Sequence, residues 1–75
     1  MSATLDQTLG PATVRNVAGD SAIRRRLAEM GVRPGAQIRV LYRTTGGARV
    51  IAVEGARVAL DADLARAVTL EAENA

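Results

Sequence analysis

The spacing of apolar residues predicts one helix in the first half of the chain. Ile23, Leu27 and Met30 are four and three residues apart, which places them on one face of a helix. Asp20 or Ser21 can cap the first turn, because a short oxygen-bearing side chain accepts from the exposed backbone N–H groups there. We therefore expect a helix that begins at Asp20 or Ser21, ends at Met30 and buries its apolar face.

The residues that follow predict how this helix ends. Gly31 suits the left-handed conformation just past a helix, and Val32 would then contact Leu27 as in a Schellman ending. Pro34-Gly35 comes next. Proline fixes φ at the first central position of a turn and glycine accepts a positive φ at the second, so this pair predicts a type II turn.

A strand and a hairpin are predicted after this turn. Residues 36–43 alternate between two faces, and the alternation places Tyr42 on the buried one. Gly46-Gly47 can form a two-residue hairpin turn, because both central positions tolerate a positive φ. This turn would set Tyr42 opposite Ile51 in the next strand.

A second tight turn at Glu54-Gly55 extends the sheet to a third strand. It sets Ile51 opposite Val58, so that the apolar residues of all three strands share one face. A slip of one residue would move every apolar side chain to the other face. The pattern therefore predicts a three-stranded antiparallel meander with one buried face.

The remaining segments complete a small barrel. Asp61 can cap a short helical turn over residues 61–67 that buries Leu64 and Ala65. A last strand carries Val68 inward, and pairing it with a first strand at residues 13–17 would protect both edges. The prediction is a mainly β fold: a five-stranded barrel with one helix inserted after the first strand and a short helical turn before the last.

The length and composition limit what this barrel can do. The chain has 75 residues, which are expected to form a single domain ordered over about residues 5–71, with both ends frayed. It contains no cysteine and no histidine, so it offers no disulfide, no thiolate and no imidazole for metal binding or acid–base catalysis. Lysine is absent, and the ten basic residues, all arginine, exceed the eight acidic ones by only two. No apolar run approaches the ~20 residues that cross a bilayer.

Three consecutive arginines, Arg24, Arg25 and Arg26, are expected on the outward side of the helix. They could form a solvated face with Glu29 as an ion-pair partner, a docking surface for an acidic protein, or a nucleic-acid contact. The last alternative is the weakest, because single-strand binders use aromatic side chains for stacking and Tyr42 is the one aromatic residue.

Two further clusters are candidates for binding or chemistry. Leu41, Val50 and Ala52 fall on the strand face opposite the core, where they are either covered by another segment or form an apolar patch for a partner. Asp61 and Asp63 form a close carboxylate pair, which is more typical of a helix cap and surface charge than of a catalytic or metal site.

The block Ile23-Arg24-Arg25-Arg26-Leu27-Ala28-Glu29-Met30-Gly31-Val32-Arg33-Pro34-Gly35-Ala36 resembles the "RL..lG..pG" signature of the ferrous iron transport protein A (FeoA) family. The ending, residues 58–70, is similar to the family's "lsLr..lA..I.V" pattern, and the resemblance covers about residues 5–71. Two details depart from it. Asp61 stands where the family often has an arginine, and the hairpin before Val50 lacks the usual Gly-Asp-Pro character.

The resemblance implies an SH3-like barrel and a non-enzymatic accessory role in bacterial Fe(II) uptake. It also implies a cytoplasmic protein whose partner is the cytosolic GTP-binding part of the membrane permease FeoB. No cofactor, resident metal, small-molecule substrate or nucleic acid is expected, and the membrane would be reached only through the partner. The alternatives are a small nucleic-acid-binding barrel and a stand-alone regulatory domain related to iron-dependent repressors.

The residues predicted to contact the partner come from the helix and from one strand face. They are Arg24, Arg25, Arg26, Leu27, Leu41 and Val50.

Overall fold

The computed structural model describes residues 2–72 and contains six antiparallel strands in one sheet, with the order β1-β6-β2-β3-β4-β5. Two α-helices and one 3₁₀ turn join the strands. In chain order the elements are β1 (Ser2–Thr4), the 3₁₀ turn (Leu5–Gln7), β2 (Gly10–Val17), α1 (Ser21–Glu29), β3 (Gln37–Arg43), β4 (Arg49–Val53), β5 (Ala56–Leu60), α2 (Ala62–Arg66) and β6 (Val68–Ala72).

The core of the barrel is entirely aliphatic. Its side chains come from both helices, the 3₁₀ turn and every strand except β1, and they fill the interior without an aromatic residue. The buried apolar residues are Leu5, Ala12, Val14, Val17, Leu27, Val32, Ile38, Val40, Ile51, Val53, Leu60, Leu64, Ala65, Val68 and Leu70. The predicted alternation in β4 and the predicted burial of Leu64, Ala65 and Val68 are confirmed.

Helix α1 has the predicted signal at each end. The Asp20 side chain accepts a hydrogen bond from Ile23 N–H at 2.9 Å. At the other end Gly31, at φ 92°, donates to the Ala28 carbonyl at 2.9 Å, and Val32 N–H donates to the Leu27 carbonyl at 2.8 Å. These two bonds form a complete Schellman motif, so the direction in which the chain leaves α1 is fixed.

The structure contains both predicted turns: the type II turn that follows helix α1 and the tight turn between β4 and β5. Ala36 N–H donates to the Arg33 carbonyl at 3.0 Å, and Gly35 has φ 91°, as a type II turn requires. Glu54 and Gly55 both have positive φ, 51° and 80°, which is the type I′ geometry of a two-residue hairpin. The predicted pairing of β4 with β5 is therefore confirmed.

The start of the chain differs from the prediction of a frayed end. Ser2–Thr4 forms β1 and pairs with β6, with Ala3 opposite Leu70, so the sheet has six strands and not five. A short run of small and polar residues has no apolar alternation, and β1 is held by backbone hydrogen bonds to its neighbour. At the other end Glu71 lies within β6, while residues 73–75 fall outside the described residues.

The predicted register between β3 and β4 is wrong by one residue near the loop, where Tyr42 lies opposite Val50, and by two residues from Val40 onward. The turn is a three-residue loop, Thr45 to Gly47, closed by Thr44 N–H donating to the Ala48 carbonyl at 2.9 Å. The loop therefore contains one more residue than predicted. A β-bulge between Val40 and Tyr42 adds a second residue of displacement.

The bulge explains both the buried and the exposed residues of β3. The longer loop shifts the register by one residue, and the bulge shifts it by one more. Val40 therefore lies opposite Ile51, and the part of β3 before the bulge keeps its apolar side chains on the core face. Tyr42 lies between bulge and loop and is turned outward, with 49% of its surface exposed. The prediction that Tyr42 is buried is therefore wrong.

A buried arginine joins parts of the fold that are distant in sequence. Arg49, at the start of β4, is only 7% exposed. Its guanidinium donates to the Gly47 carbonyl at 3.0 Å and also to the Asp6 carbonyl of the 3₁₀ turn. In the register Arg49 lies opposite Leu60 of β5, so this side chain connects the β5 end of the sheet with the segment that follows β1.

We expect Arg49→Met to lower the free energy of unfolding by about 2 kcal/mol or more. The substitution keeps the apolar stem but leaves two inward-facing carbonyls without their donor, and a buried unsatisfied polar group costs ~1–3 kcal/mol. The measurement is chemical denaturation. Arg57→Met is the matched control, because Arg57 is exposed on β5 and should change stability by less than ~0.5 kcal/mol. Equal losses in the two variants would contradict the structural role of Arg49.

Two substitutions, Gly31→Ala and Gly35→Ala, distinguish the cost of backbone strain from the cost of steric crowding. Both glycines have φ near 90°, which costs an L-residue ~1–2 kcal/mol. A Cβ at Gly31 would also lie 3.1 Å from Val53 Cγ2, whereas one at Gly35 meets nothing within 4 Å. Gly31→Ala should therefore be the more destabilising in thermal unfolding. The reverse order would contradict the close approach of α1 to the β4–β5 turn.

Candidate partner-binding surface

Helix α1 presents three arginines to solvent. Arg24, Arg25 and Arg26 are all exposed, as predicted. Within residues 2–72 the ion pairs are made by other arginines: Arg15 with Glu71, Arg33 with Glu54, and Arg66 with Asp63. Glu29, the expected partner on the helix, is exposed and forms none of these pairs. The charges on α1 are thus available to an external acidic group.

Leu27 occupies a different position from its arginine neighbours. Its side chain is fully buried and its carbonyl accepts the Schellman hydrogen bond from Val32. It anchors α1 to the core from beneath and cannot itself contact a partner while the fold is intact. Of the six predicted contact residues, Leu27 is therefore placed in the interior, and the other five lie at least partly at the surface.

A cleft of about 350 Å³ opens beside α1. It lies between the end of β2, the helix and the loop that leads to the type II turn. The sequence does not predict it, because its residues come from three separate segments. It is lined by Asn16, Val17, Arg24, Ala28, Val32, Arg33 and Pro34. Of the three consecutive arginines, Arg24 is the one that lines the cleft, together with Ala28 one helical turn later.

The second predicted surface lies on the outer side of β3 and β4. Leu41, Val50 and Ala52 are half-buried and not freely exposed. Ala52 lies between Arg39 and Arg57 in the register of three strands. The stem of an arginine beside Ala52 can cover apolar surface of this kind.

The two predicted surfaces are separate. Helix α1 leads through Gly35 into the first residue of β3, Gln37, whereas Leu41 and Val50 lie toward the loop that joins β3 to β4. Four residues of strand correspond to ~13 Å. One small contact would therefore not include both the arginines of α1 and the outer face of β3 and β4.

The carboxylate pair serves local structure. Asp61 accepts from Leu64 N–H at 2.9 Å and caps α2, and Asp63 pairs with Arg66 on the same helix. Residues 2–72 contain no group of three or more histidine, cysteine, aspartate or glutamate side chains arranged to hold a metal ion. In the same part of the chain, no helix has the length and apolar character needed to cross a membrane.

The FeoA domain profile matches residues 7–72 of this chain. The chain belongs to the FeoA domain family. The resemblance inferred from the helix-to-turn block and the expected SH3-like barrel are thereby confirmed. FeoA proteins are associated with ferrous iron uptake. Asp61, where this chain departs from the family pattern, is accounted for by its role as the cap of α2.

Solved structures support the same assignment. A protein described as iron uptake regulatory protein (FeoA), solved by crystallography, is 34% identical in sequence to this chain, with a TM-score of 0.85. The match covers 95% of this chain and 96% of that one. The FeoA protein from Chlorobium tepidum, solved by NMR, is 27% identical, with a TM-score of 0.81 and coverage of 91% and 68%.

A repressor contains the same fold. A manganese-dependent transcriptional repressor is 26% identical with a TM-score of 0.83, and the match covers 92% of this chain but 40% of the repressor. The FeoA chain thus corresponds to one part of that longer protein. Among curated protein sequences, none matches this chain significantly.

The assignment of Asp61 as a cap can be tested against Asp63. Asp61→Ala should lower the free energy of unfolding by ~1 kcal/mol, because an N-cap residue satisfies a backbone N–H of the first turn. Asp63→Ala removes only an exposed ion pair, worth ~0–0.5 kcal/mol. Denaturant titration of both variants measures the difference. A larger loss for Asp63→Ala would contradict the cap.

Proposed function

We propose that this FeoA protein is a non-enzymatic accessory protein of bacterial ferrous iron uptake that docks from the cytosol on the GTP-binding region of the Fe(II) permease FeoB. Family membership supports the link with iron uptake. The observation that carries the docking proposal is the group of three exposed arginines on α1, none of which has a carboxylate partner within residues 2–72.

Helix α1 is held in place at both ends and on its buried side, as a preformed contact surface requires. Asp20 caps one end, the Schellman motif closes the other, and Leu27 fixes the buried side. The arginines are therefore displayed on a backbone that does not have to fold on binding, which reduces the entropic cost of association. Opposite charge on the partner would steer the encounter and make it sensitive to salt.

The side-chain inventory favours a role by contact over a role as iron carrier. The sequence has no histidine and no cysteine, and hard carboxylates without imidazole or thiolate support are weak ligands for Fe(II). In the proposal the permease carries the iron, and this protein modulates transport or the nucleotide cycle. The outer face with Leu41 and Val50 stays a second predicted contact, at the other end of β3.

We expect the protein to bind the purified cytosolic region of FeoB in calorimetry, in at least one nucleotide state. Replacing Arg24, Arg25 and Arg26 together by alanine should weaken binding about tenfold, since each exposed ionic contact contributes ~0.2–1 kcal/mol. The control variant replaces Arg15, Arg57 and Arg66, which are exposed on β2, β5 and α2, and changes the net charge equally. That variant should bind like the parent protein.

Three results would contradict the proposal or its surface. No binding with GTP, with GDP or without nucleotide overturns the proposal. Equal weakening in both triple variants shows a response to net charge alone and excludes α1 as the contact. Tight binding of an oligonucleotide that falls steeply with salt would instead favour the nucleic-acid alternative.

A further inference from the structure

We infer that the cleft beside α1 binds an acidic, apolar peptide segment: an aliphatic side chain enters the cleft while an adjacent carboxylate pairs with Arg24 and Arg33. This inference rests on the proposed function, because the segment would belong to the partner. It goes further by giving the binding site and the chemical class of its ligand.

The inner surface of the cleft is apolar. Val17 and Val32 are buried core residues that also line the cleft, and Ala28 and Pro34 complete the wall. The volume of about 350 Å³ is at the lower end of the ~300–1,000 Å³ typical of ligand pockets. It suits one or two aliphatic side chains of a peptide.

The polar residues of the cleft give it positive charge. Arg24 comes from α1 and Arg33 from the loop after it, so two guanidinium groups border the same space. Within residues 2–72 their one carboxylate partner is Glu54, which pairs with Arg33 at 3.3 Å; both side chains are more than half exposed. An exposed pair of this kind is weak and can exchange partners. A carboxylate brought by a ligand would therefore be attracted by Arg24 without losing a competing pair.

Asn16 supplies a neutral polar group at the end of β2. Its side-chain amide can both donate and accept hydrogen bonds, as an extended peptide backbone requires. The residues that line the cleft include no aromatic side chain, so it offers no platform for stacking a nucleobase. These groups favour an acidic peptide over an oligonucleotide, although both are anionic.

The walls of the cleft are fixed before any ligand arrives. Val14 N–H donates to the Ala36 carbonyl at 2.8 Å and Gly35 N–H donates to the Val14 carbonyl at 2.8 Å, which ties the turn to β2. Val32 is held by the Schellman bond to Leu27. A preformed site loses little conformational entropy on binding, so a short peptide is a sufficient probe.

The first experiment titrates ¹⁵N-labelled protein with the blocked peptide acetyl-Gly-Asp-Leu-Leu-Glu-Gly-amide and follows amide shifts. The expected result is saturable shifts at Asn16, Val17, Ala28 and Val32. Two control peptides test the contributions of the carboxylates and of the apolar side chains. One has Asn and Gln in place of the acids, and the other has Ser in place of both leucines. Each should bind at least about fivefold more weakly. Equal binding of either control, or shifts confined to other residues, overturns the inference.

The second experiment compares Arg24→Glu with Arg66→Glu. Both substitutions reverse one exposed charge on a helix, but only Arg24 lines the cleft. Arg24→Glu should weaken binding of the acidic peptide about tenfold, and Arg66→Glu by less than about twofold. Thermal unfolding of both variants verifies the fold. Equal effects of the two substitutions overturn the inference.

The same two variants, tested against the cytosolic region of FeoB, separate this inference from the proposed function. If the parent protein binds FeoB and both variants bind equally well, the docking proposal stands and the cleft is not the site. If the peptide is bound selectively but FeoB is not bound at all, the ligand class stands and the proposed partner is wrong. If Arg24→Glu alone weakens both complexes, both proposals are supported.

Discussion

The guanidinium of Arg49 holds together parts of the barrel that the sheet alone does not join. The strand order starts at β1 and ends at β5, so no ladder connects the two ends of the sheet within residues 2–72. Arg49 lies opposite Leu60 of β5 and donates to the Asp6 carbonyl, just after β1. A hydrogen bond from a charged donor to a buried carbonyl is stronger than a neutral one.

Local signals predicted much of this fold, because they act within a few residues. Asp20, Gly31 and Pro34-Gly35 each determine a backbone conformation by their own chemistry, and the structure has the predicted cap, helix end and turn. The register of β3 was not predictable in this way. It depends on the length of the loop and on a bulge, and each displaces the pairing by one residue. The displacement of one from the loop turns Tyr42 outward, and the second displacement from the bulge leaves Val40 buried opposite Ile51.

The residues of the proposed site also differ in how far the sequence predicts them. Exposure of Arg24, Arg25 and Arg26 follows from helical periodicity and was predicted. The cleft joins residues of β2, α1 and the following loop, so it exists only once tertiary packing brings them together. Burial of Arg49 did leave a signal in the sequence: it is in phase with Ile51 and Val53 on the inner face of β4. A charged residue at such a position indicates a paired, structural role.

The arginine that holds the fold together and the arginine proposed for recognition lie in different environments. Arg49 is buried and makes its hydrogen bonds to backbone carbonyls of the protein itself, so its guanidinium is not accessible to a protein partner. Arg24 contributes little to the fold, since it is exposed and forms none of the ion pairs found in residues 2–72. Its position is nevertheless fixed, because the helix that carries it is closed at both ends. An arginine that the fold positions but does not use is the kind of residue from which a specific contact with an acidic partner can be built.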